Sequence, residues 1–493
     1  LTGGATKAED ICRALAERGL GQVRVSVGER LSYADERIVT GTAAELAGET
    51  FADLSVLLAE NPEPVGRPWN SPGLPDEVFQ RGAVPMTKEE VRALALCKLG
   101  AGNNLPGYYM YHGGSNPKGK LSTLQESRAT GYLNDLPEIN YDFNAPIRQY
   151  GTISDSYREI KLLALFLNDF GEDMASLRSE IPTIRILPGD MHTVRTACRH
   201  DADHGYVFFN NYQRRWKMDD HPQVKLEGLL DGKASVGFPA FDLKGGMYGF
   251  FPYNMKLNDA VLQTALATPL CVLHTKEGDA FVFYGDLDPQ IQWEGDARAE
   301  LCLISRQEAL NAWKVHLDQD YLVLSENYVW EENGELVVTG SGKTMIAVYP
   351  VVEKGIVDFK ECGKRGNFTL YERIYKAQEP EAELVCTEQD KEKAVYELKL
   401  AYPGEKNYHD AFAFLTWYGN RMEVFDGEEK INDYFYTGQE ALLSLGYFEF
   451  PEKLKLVVYP LHPGDPIFLE KQPEFADGCA CKIEKMHVET IFR

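Results

Sequence analysis

Residues 104–151 read NLPGYYMYHGGSNPKGKLSTLQESRATGYLNDLPEINYDFNAPIRQYG. The stretch is dense in aromatic, Gly, Asn and Asp residues. Tyr108-Tyr109-Met110-Tyr111 predicts a strand by residue type. Gly113-Gly114 ends it, where the backbone can turn sharply or approach another group closely. A long polar loop then leads to Tyr141-Asp142-Phe143-Asn144-Ala145-Pro146. Aromatic faces beside short amide and hydroxyl side chains suit a sugar: rings stack on the C–H face of a pyranose while Asn, Tyr and Ser orient its hydroxyls. The same spacing also fits a buried aromatic strand followed by a surface loop.

The totals bound the rest. A chain of 493 residues with 44% hydrophobic and 26% charged residues is globular and long enough for several cores. Lys and Arg number 51 against 75 Asp and Glu, a net charge of −24 that disfavours nucleic acid and anionic membrane surfaces as partners. Nine scattered cysteines, an odd number without a paired framework, predict a reducing compartment, hence a cytoplasmic protein. Cys479-Ala480-Cys481 is too tight for a zinc knuckle and predicts two free surface thiols. No apolar run approaches the length of a membrane span, and no signal peptide is visible. The chain opens at Leu1 inside what reads as a strand, so its start is expected to be truncated. Nothing in the composition specifies an oligomeric state.

The wording of the two motifs, YMYHGGSNPKG followed by YDFNAPIRQYG, resembles glycoside hydrolase family 35, the β-galactosidases. The resemblance implies that the first motif lies on the last strand of a catalytic (β/α)8 barrel and the second in the loop after it. It implies retaining hydrolysis of terminal β-galactosides without a cofactor. It places Tyr109 with its hydroxyl towards the galactose and Phe143 as an aromatic wall of the same subsite. Asn116 and Asp142 are candidate orienting residues, with loop capping as the equal alternative. Retention needs two carboxylates about 5–5.5 Å apart. In this family both are glutamates on earlier barrel strands, and neither maps onto this chain, so no catalytic residue is assigned. Glu126, the nearest carboxylate, reads as a loop or helix-start ion-pair partner.

Upstream the texture is different. Residues 6–18 have helical spacing, 23–27 alternate as a strand, 43–46 suit a short helix and 55–58 a buried strand, which is α/β layering. LTGGATKAEDI, VSVGERLSYADERIVTGTAAELA and FADLSVLLAENPE resemble the C-terminal lobe of a cobalamin-pathway precorrin methyltransferase (1–62). GLPDEVFQRGAVPMTKEEVRALALCKL resembles the start of its second methyltransferase domain (63–100). Thr87 and Glu90 form a capping box there, and the Pro/Gly-rich stretch 62–75 is a linker. This family uses S-adenosylmethionine, but past Gly100-Ala101-Gly102 the cofactor loop is missing. A join is expected near residue 100, with few contacts between 1–100 and 180–493.

Downstream, 101–175 is expected to be the end of the barrel, with a helix over 155–170 stopped by Gly171. Short strands at 183–187, 206–209, 282–284 and 301–304 predict a β-sandwich accessory domain over 176–320. Residues 321–394 are β-rich around the turn pairs Asn333-Gly334 and Gly340-Ser341-Gly342, and 395–493 resembles the family's C-terminal jelly roll. His200-Asp201-Ala202-Asp203-His204 reads as a polar loop, not a metal site, and the GKT at 342–344 lacks the rest of a P-loop. The expected protein is therefore multidomain: an α/β fragment, a piece of barrel, then β-sandwich and jelly-roll units. Its expected function is that of a β-galactosidase left inactive by missing glutamates. A precorrin methyltransferase fragment and a non-catalytic carbohydrate-binding β-sandwich are the alternatives.

Overall fold

A computed structural model describes residues 7–31, 33–52, 55–60, 89–108, 110–117, 137–143, 145–183, 186–187, 189–214, 216–376, 379–403, 408–465, 469, 472–476 and 478–493. The chain forms two compact units, Leu1–Ser71 and Pro72–Arg493.

In the first unit the strand Arg24–Glu29 lies between Arg37–Thr42 and Ser55–Glu60, all antiparallel. The helix Ala8–Leu15, continued as a π-turn Ala16–Leu20, covers one face. Alternation sends Val25 and Val27 into a core with Cys12, Ala43, Leu46 and Phe51. The short helix Ala43–Leu46 starts with a capping box from Thr42 and Glu45. The strand expected to be buried at 55–58 is not: Val56 is 60% and Leu58 58% exposed, because a strand with one packed face presents every second residue outward. The expected turn at 1–4, the Thr87 cap and the 62–75 linker lie outside the described residues.

The second unit is mostly β-structure in several sheets. Its first sheet has the order Gln292–Glu294, Ala260–Thr264, Tyr248–Leu257, Gly205–Asn210, Arg195–His200, Arg178–Glu180. Two helices pack with it in one aromatic core, where Phe166, Phe170, Met174 and Leu99 meet Tyr206, Phe208 and Phe250. The helix Asp155–Ser176 runs through Gly171, which was expected to end it. Met174 is fully buried and continues the apolar stripe of Phe166 and Phe170, and this packing outweighs the roughly 1 kcal/mol that a helical glycine costs.

Beyond lie the sheet Thr268–Thr275, Gly278–Tyr284, Glu300–Ile304, whose last pair is parallel, and a five-stranded sheet spanning 312–374. Asn333 and Gly334, both at positive φ (54° and 82°), close the hairpin Val329–Glu332/Glu335–Val338 as the sequence predicts. The last residues form two facing antiparallel sheets. One has the order Glu381–Gln389, Ala394–Ala401, Lys453–Val458, Arg421–Asp426, Glu429–Phe435; the other, Ala441–Ser444, Asp410–Tyr418, Lys482–Ile491. Ala394, Tyr396, Leu398 and Leu400 alternate into the core between them. Cys479 is half-buried and Cys481 buried, its Sγ donating to Val458 O at 3.4 Å, so the pair is not the surface pair expected. Among the described residues no helix is long and apolar enough to cross a membrane.

The helix Glu89–Gly100 corrects the expected division near residue 100. It belongs to the second unit, not to the first. Leu99 is 2% exposed in the aromatic core, and Asn210 Nδ2 donates to Cys97 Sγ at 3.0 Å. Arg199, 1% exposed, donates to Leu99 O (3.0 Å), Met174 O (2.6 Å) and Leu177 O (3.1 Å). One guanidinium thus caps the C-terminal ends of both helices, where carbonyls lack intrahelical donors and the dipole favours a cation. The expectation of few contacts between 1–100 and the β-structure fails here. Gly100 is needed for this packing, since a Cβ would stand 2.8 Å from Phe208 Cγ; Gly102, at φ 101°, turns the chain out of the helix.

Residues 201–204 form a polar loop between two strands, as expected, whereas His200 is the buried last residue of the strand Arg195–His200. Asp201 Oδ1 accepts from the backbone N–H of Asp203 and His204. His204 Nε2 lies 2.8 Å from Asp173 Oδ1, and Tyr206 donates its hydroxyl to Asp173 Oδ2 at 3.0 Å. The Asp173 hydrogen bond raises the His204 pKa. A histidine with a raised folded-state pKa stabilises fully below its unfolded value, near 6.5, and loses that contribution as pH rises through the folded value. His204→Gln should therefore cost about 1 kcal/mol at pH 5.5 and almost nothing at pH 9, measured by urea unfolding at both.

Candidate functional site

The two motifs of 104–151 pack side by side. Gly113 N–H donates to Ile147 O (2.7 Å), Ile147 N–H to Tyr111 O (3.0 Å), Asn116 N–H to Ile139 O (2.7 Å) and Tyr141 N–H to Gly114 O (2.8 Å). The aromatic run 108–111 is not the strand expected: Met110 turns at φ 61°, and the described residues of 101–154 hold isolated bridges instead of strands. A strand needs a ladder of successive pairs, and beside this run the described residues form only the isolated bridge of His112 with Ile147. Gly113 does permit close approach, but to the second motif. A Cβ there would stand 2.2 Å from Asp142 Oδ1 and 2.9 Å from Asp142 Cα. Gly113→Ala should destabilise the second unit by about 1–3 kcal/mol in urea unfolding, because Asp142 Cα cannot move without breaking the pairing.

Asp142 and Phe143 come together in a cavity of about 60 Å³ that residues far downstream complete: Trp417, Tyr434, Phe435, Gln439 and Glu440, with Tyr150 and Arg148 from the motif loop. Tyr141 and Phe143 meet edge-on with ring centroids 5.0 Å apart, and Phe143 lies 5.8 Å from Phe435. Phe143 holds φ at 42°, an uncommon conformation for a large side chain. The fully buried Asn432 places its Nδ2 within 3.1 Å of Gln149 Oε1, 2.7 Å of Tyr150 Oη and 2.9 Å of Tyr434 Oη. Asp433, 4% exposed, accepts from the backbone N–H of Glu138 (2.6 Å), Ile139 (3.0 Å) and Asn140 (3.0 Å). These contacts fasten the motif loop to the strand Glu429–Phe435.

Burial pushes the Asp142 carboxyl up to about 6, against the Gln149 N–H that it accepts at 2.6 Å and the Arg148 charge. It therefore takes up its proton in mildly acidic solution, well above the range of an ordinary aspartate, and can then donate a hydrogen bond. Asn116 is spent on the loop: its Nδ2 donates to Glu138 O at 3.2 Å, and it does not line the cavity. Asp142 braces the loop through Gln149 and also lines the cavity. Tyr109 and Glu126 lie outside the described residues.

Sequence reasoning missed Trp417, Tyr434, Phe435 and Gln439. Their only signal is the aromatic density of 434–436, which an ordinary sandwich strand shares. At Gly100-Ala101-Gly102 the geometry is that of a helix C-terminus. A loop of the cofactor-binding kind precedes a helix. No family model matches the chain, and no curated protein matches it significantly.

Proposed function

We propose that the second unit is the C-terminal part of a β-galactosidase-type glycoside hydrolase that binds a terminal β-galactoside weakly and does not hydrolyse it. The observation that carries this is the cavity: the second of the two motifs that resemble the galactosidases lines it with Asp142 and Phe143 beside a downstream β-sandwich, and the first motif is hydrogen-bonded along the second. Phe143 offers a ring face or edge, and Asp142, Arg148 and Gln439 offer polar groups for hydroxyls. At about 60 Å³ the space takes one edge of a pyranose, well below the roughly 300 Å³ of a full ligand pocket. Weak affinity follows. Under this reading 101–175 is the end of a (β/α)8 barrel, which needs about 200 residues or more to close, and the glutamate pair is absent.

The test is a titration of the whole chain with methyl β-galactoside, followed by protein NMR, beside a nitrophenyl β-galactoside assay. Saturable shifts with a Kd in the millimolar range are expected, weakened at least about fivefold by Phe143→Ala, with no nitrophenol released. Absence of any shift at 137–154 or 415–442 would refute binding. Turnover abolished by a Glu→Gln change would refute inactivity. S-adenosylmethionine added in place of the sugar should give no shift in these segments.

A further inference from the structure

A second cavity, of about 260 Å³, lies in the second unit between the helix Asp155–Ser176 and the first sheet. Its walls are apolar, with Leu96, Leu163, Phe166, Phe250, Met247 and Leu266 prominent. Its polar groups include Glu159, Asp286, Arg306, Tyr248, Tyr284 and Thr268. Arg306 Nη2 lies 2.7 Å from each Glu159 carboxylate oxygen and donates to Tyr248 Oη at 3.3 Å. The Arg306 Nε and Nη1 groups have no acceptor among the described residues.

Three features define an occupant. An apolar cavity of about 150 Å³ holds one benzene ring, so this one has room for two fused rings. Glu159 offsets the Arg306 charge at 2.7 Å and Asp286 adds an acidic group to the wall, which excludes an anion and leaves an uncharged guest as the better fit. Arg306 and the tyrosine hydroxyls in the wall supply donors for one ligand oxygen. A sugar is the wrong guest, because most of its hydroxyls would face the apolar walls unpaired. We propose that this cavity is a binding site for a small uncharged aromatic molecule of one or two rings carrying one hydroxyl or carbonyl oxygen, separate from the Asp142 cavity.

The test uses the full chain and 2-naphthol, titrated by calorimetry, with naphthalene and 2-naphthoate as controls. Saturable 2-naphthol binding with a Kd below about 1 mM is expected, unaffected by excess methyl β-galactoside. Naphthalene should bind about tenfold more weakly, and 2-naphthoate should show no saturation. Leu163→Trp and, from the opposite wall, Leu266→Trp fill the space and should each abolish binding while circular dichroism stays native. Hydrogen exchange on the unaltered chain gives a readout that needs no variant: 2-naphthol should slow exchange in 155–170 and 246–251. No saturation by 2-naphthol, equal affinity for 2-naphthoate, unchanged binding in a folded filled variant, or protection confined to other segments would each overturn the proposal.

Discussion

Replacing Lys161 with methionine raises the stability of the second unit by about 2–3 kcal/mol at pH 7 and flattens its pH dependence above neutrality. Lys161 is 8% exposed on the inner side of the helix Asp155–Ser176, and its Nζ has no hydrogen-bond partner among the described residues. The ammonium sits 4.0 Å from the centroid of the Trp313 ring. Burial, with the nearby Arg158 charge second, pulls its pKa down from 10.5 to about 7. The sign follows directly. Between pH 7 and 10.5 the unfolded chain binds a proton at this site that the folded chain releases, so stability rises with pH across that window. The full shift would correspond to about 5 kcal/mol, and the attraction of the Trp313 face for the cation offsets part of it. Methionine keeps the stem's volume and removes the charge. Urea unfolding at pH 6, 7, 8, 9 and 10 measures this. A variant with a lower midpoint at pH 7, or one that keeps the parent's slope, would show that Lys161 finds a partner in solution.

Arg199→Met has the opposite sign and a larger size: a loss of about 3–5 kcal/mol. The substitution removes the donors that now reach Leu99 O, Met174 O and Leu177 O at 2.6–3.1 Å inside the core; Leu99 O and Met174 O keep one backbone donor each, from Gly102 and Leu177. It also removes a cation from two helix ends at once. Arg199→Lys should recover less than half of the loss, since one ammonium cannot span acceptors on two helices as the planar fork does. Thermal melting of both variants, with hydrogen exchange at 95–100, distinguishes this from general loosening: exchange should accelerate in the short helix before the rest of the sheet opens.

What the sequence disclosed divides by the range of the interaction. Local signals were legible where pattern and packing agree: the stripe of 155–170, the apolar run Tyr206-Val207-Phe208-Phe209, the Asn333-Gly334 turn and the short helix at 43–46. Gly171 was read as a stop because propensity is local, whereas Met174 three residues on supplies tertiary burial that overrides it. Tyr108–Tyr111 was read as a strand because its residue types favour one, while a strand also needs a neighbour that sequence cannot supply. The candidate site was half visible. Asp142 and Phe143 stand inside a dense motif, but Tyr434 and Phe435 face them from nearly 300 positions away, and no spacing rule links such segments.

The Arg199 guanidinium also bears on where this polypeptide can be cut. A fragment beginning at residue 101 would match the boundary drawn from family wording, yet it would discard Leu99 and bare the Phe208 ring that Gly100 shelters. A fragment beginning a few positions before Glu89 keeps the short helix with its cation and should express as a soluble, cooperatively melting piece, while the shorter one aggregates. Two stretches whose wording resembles unrelated families thus share one folding unit, and the practical border of that unit follows an arginine.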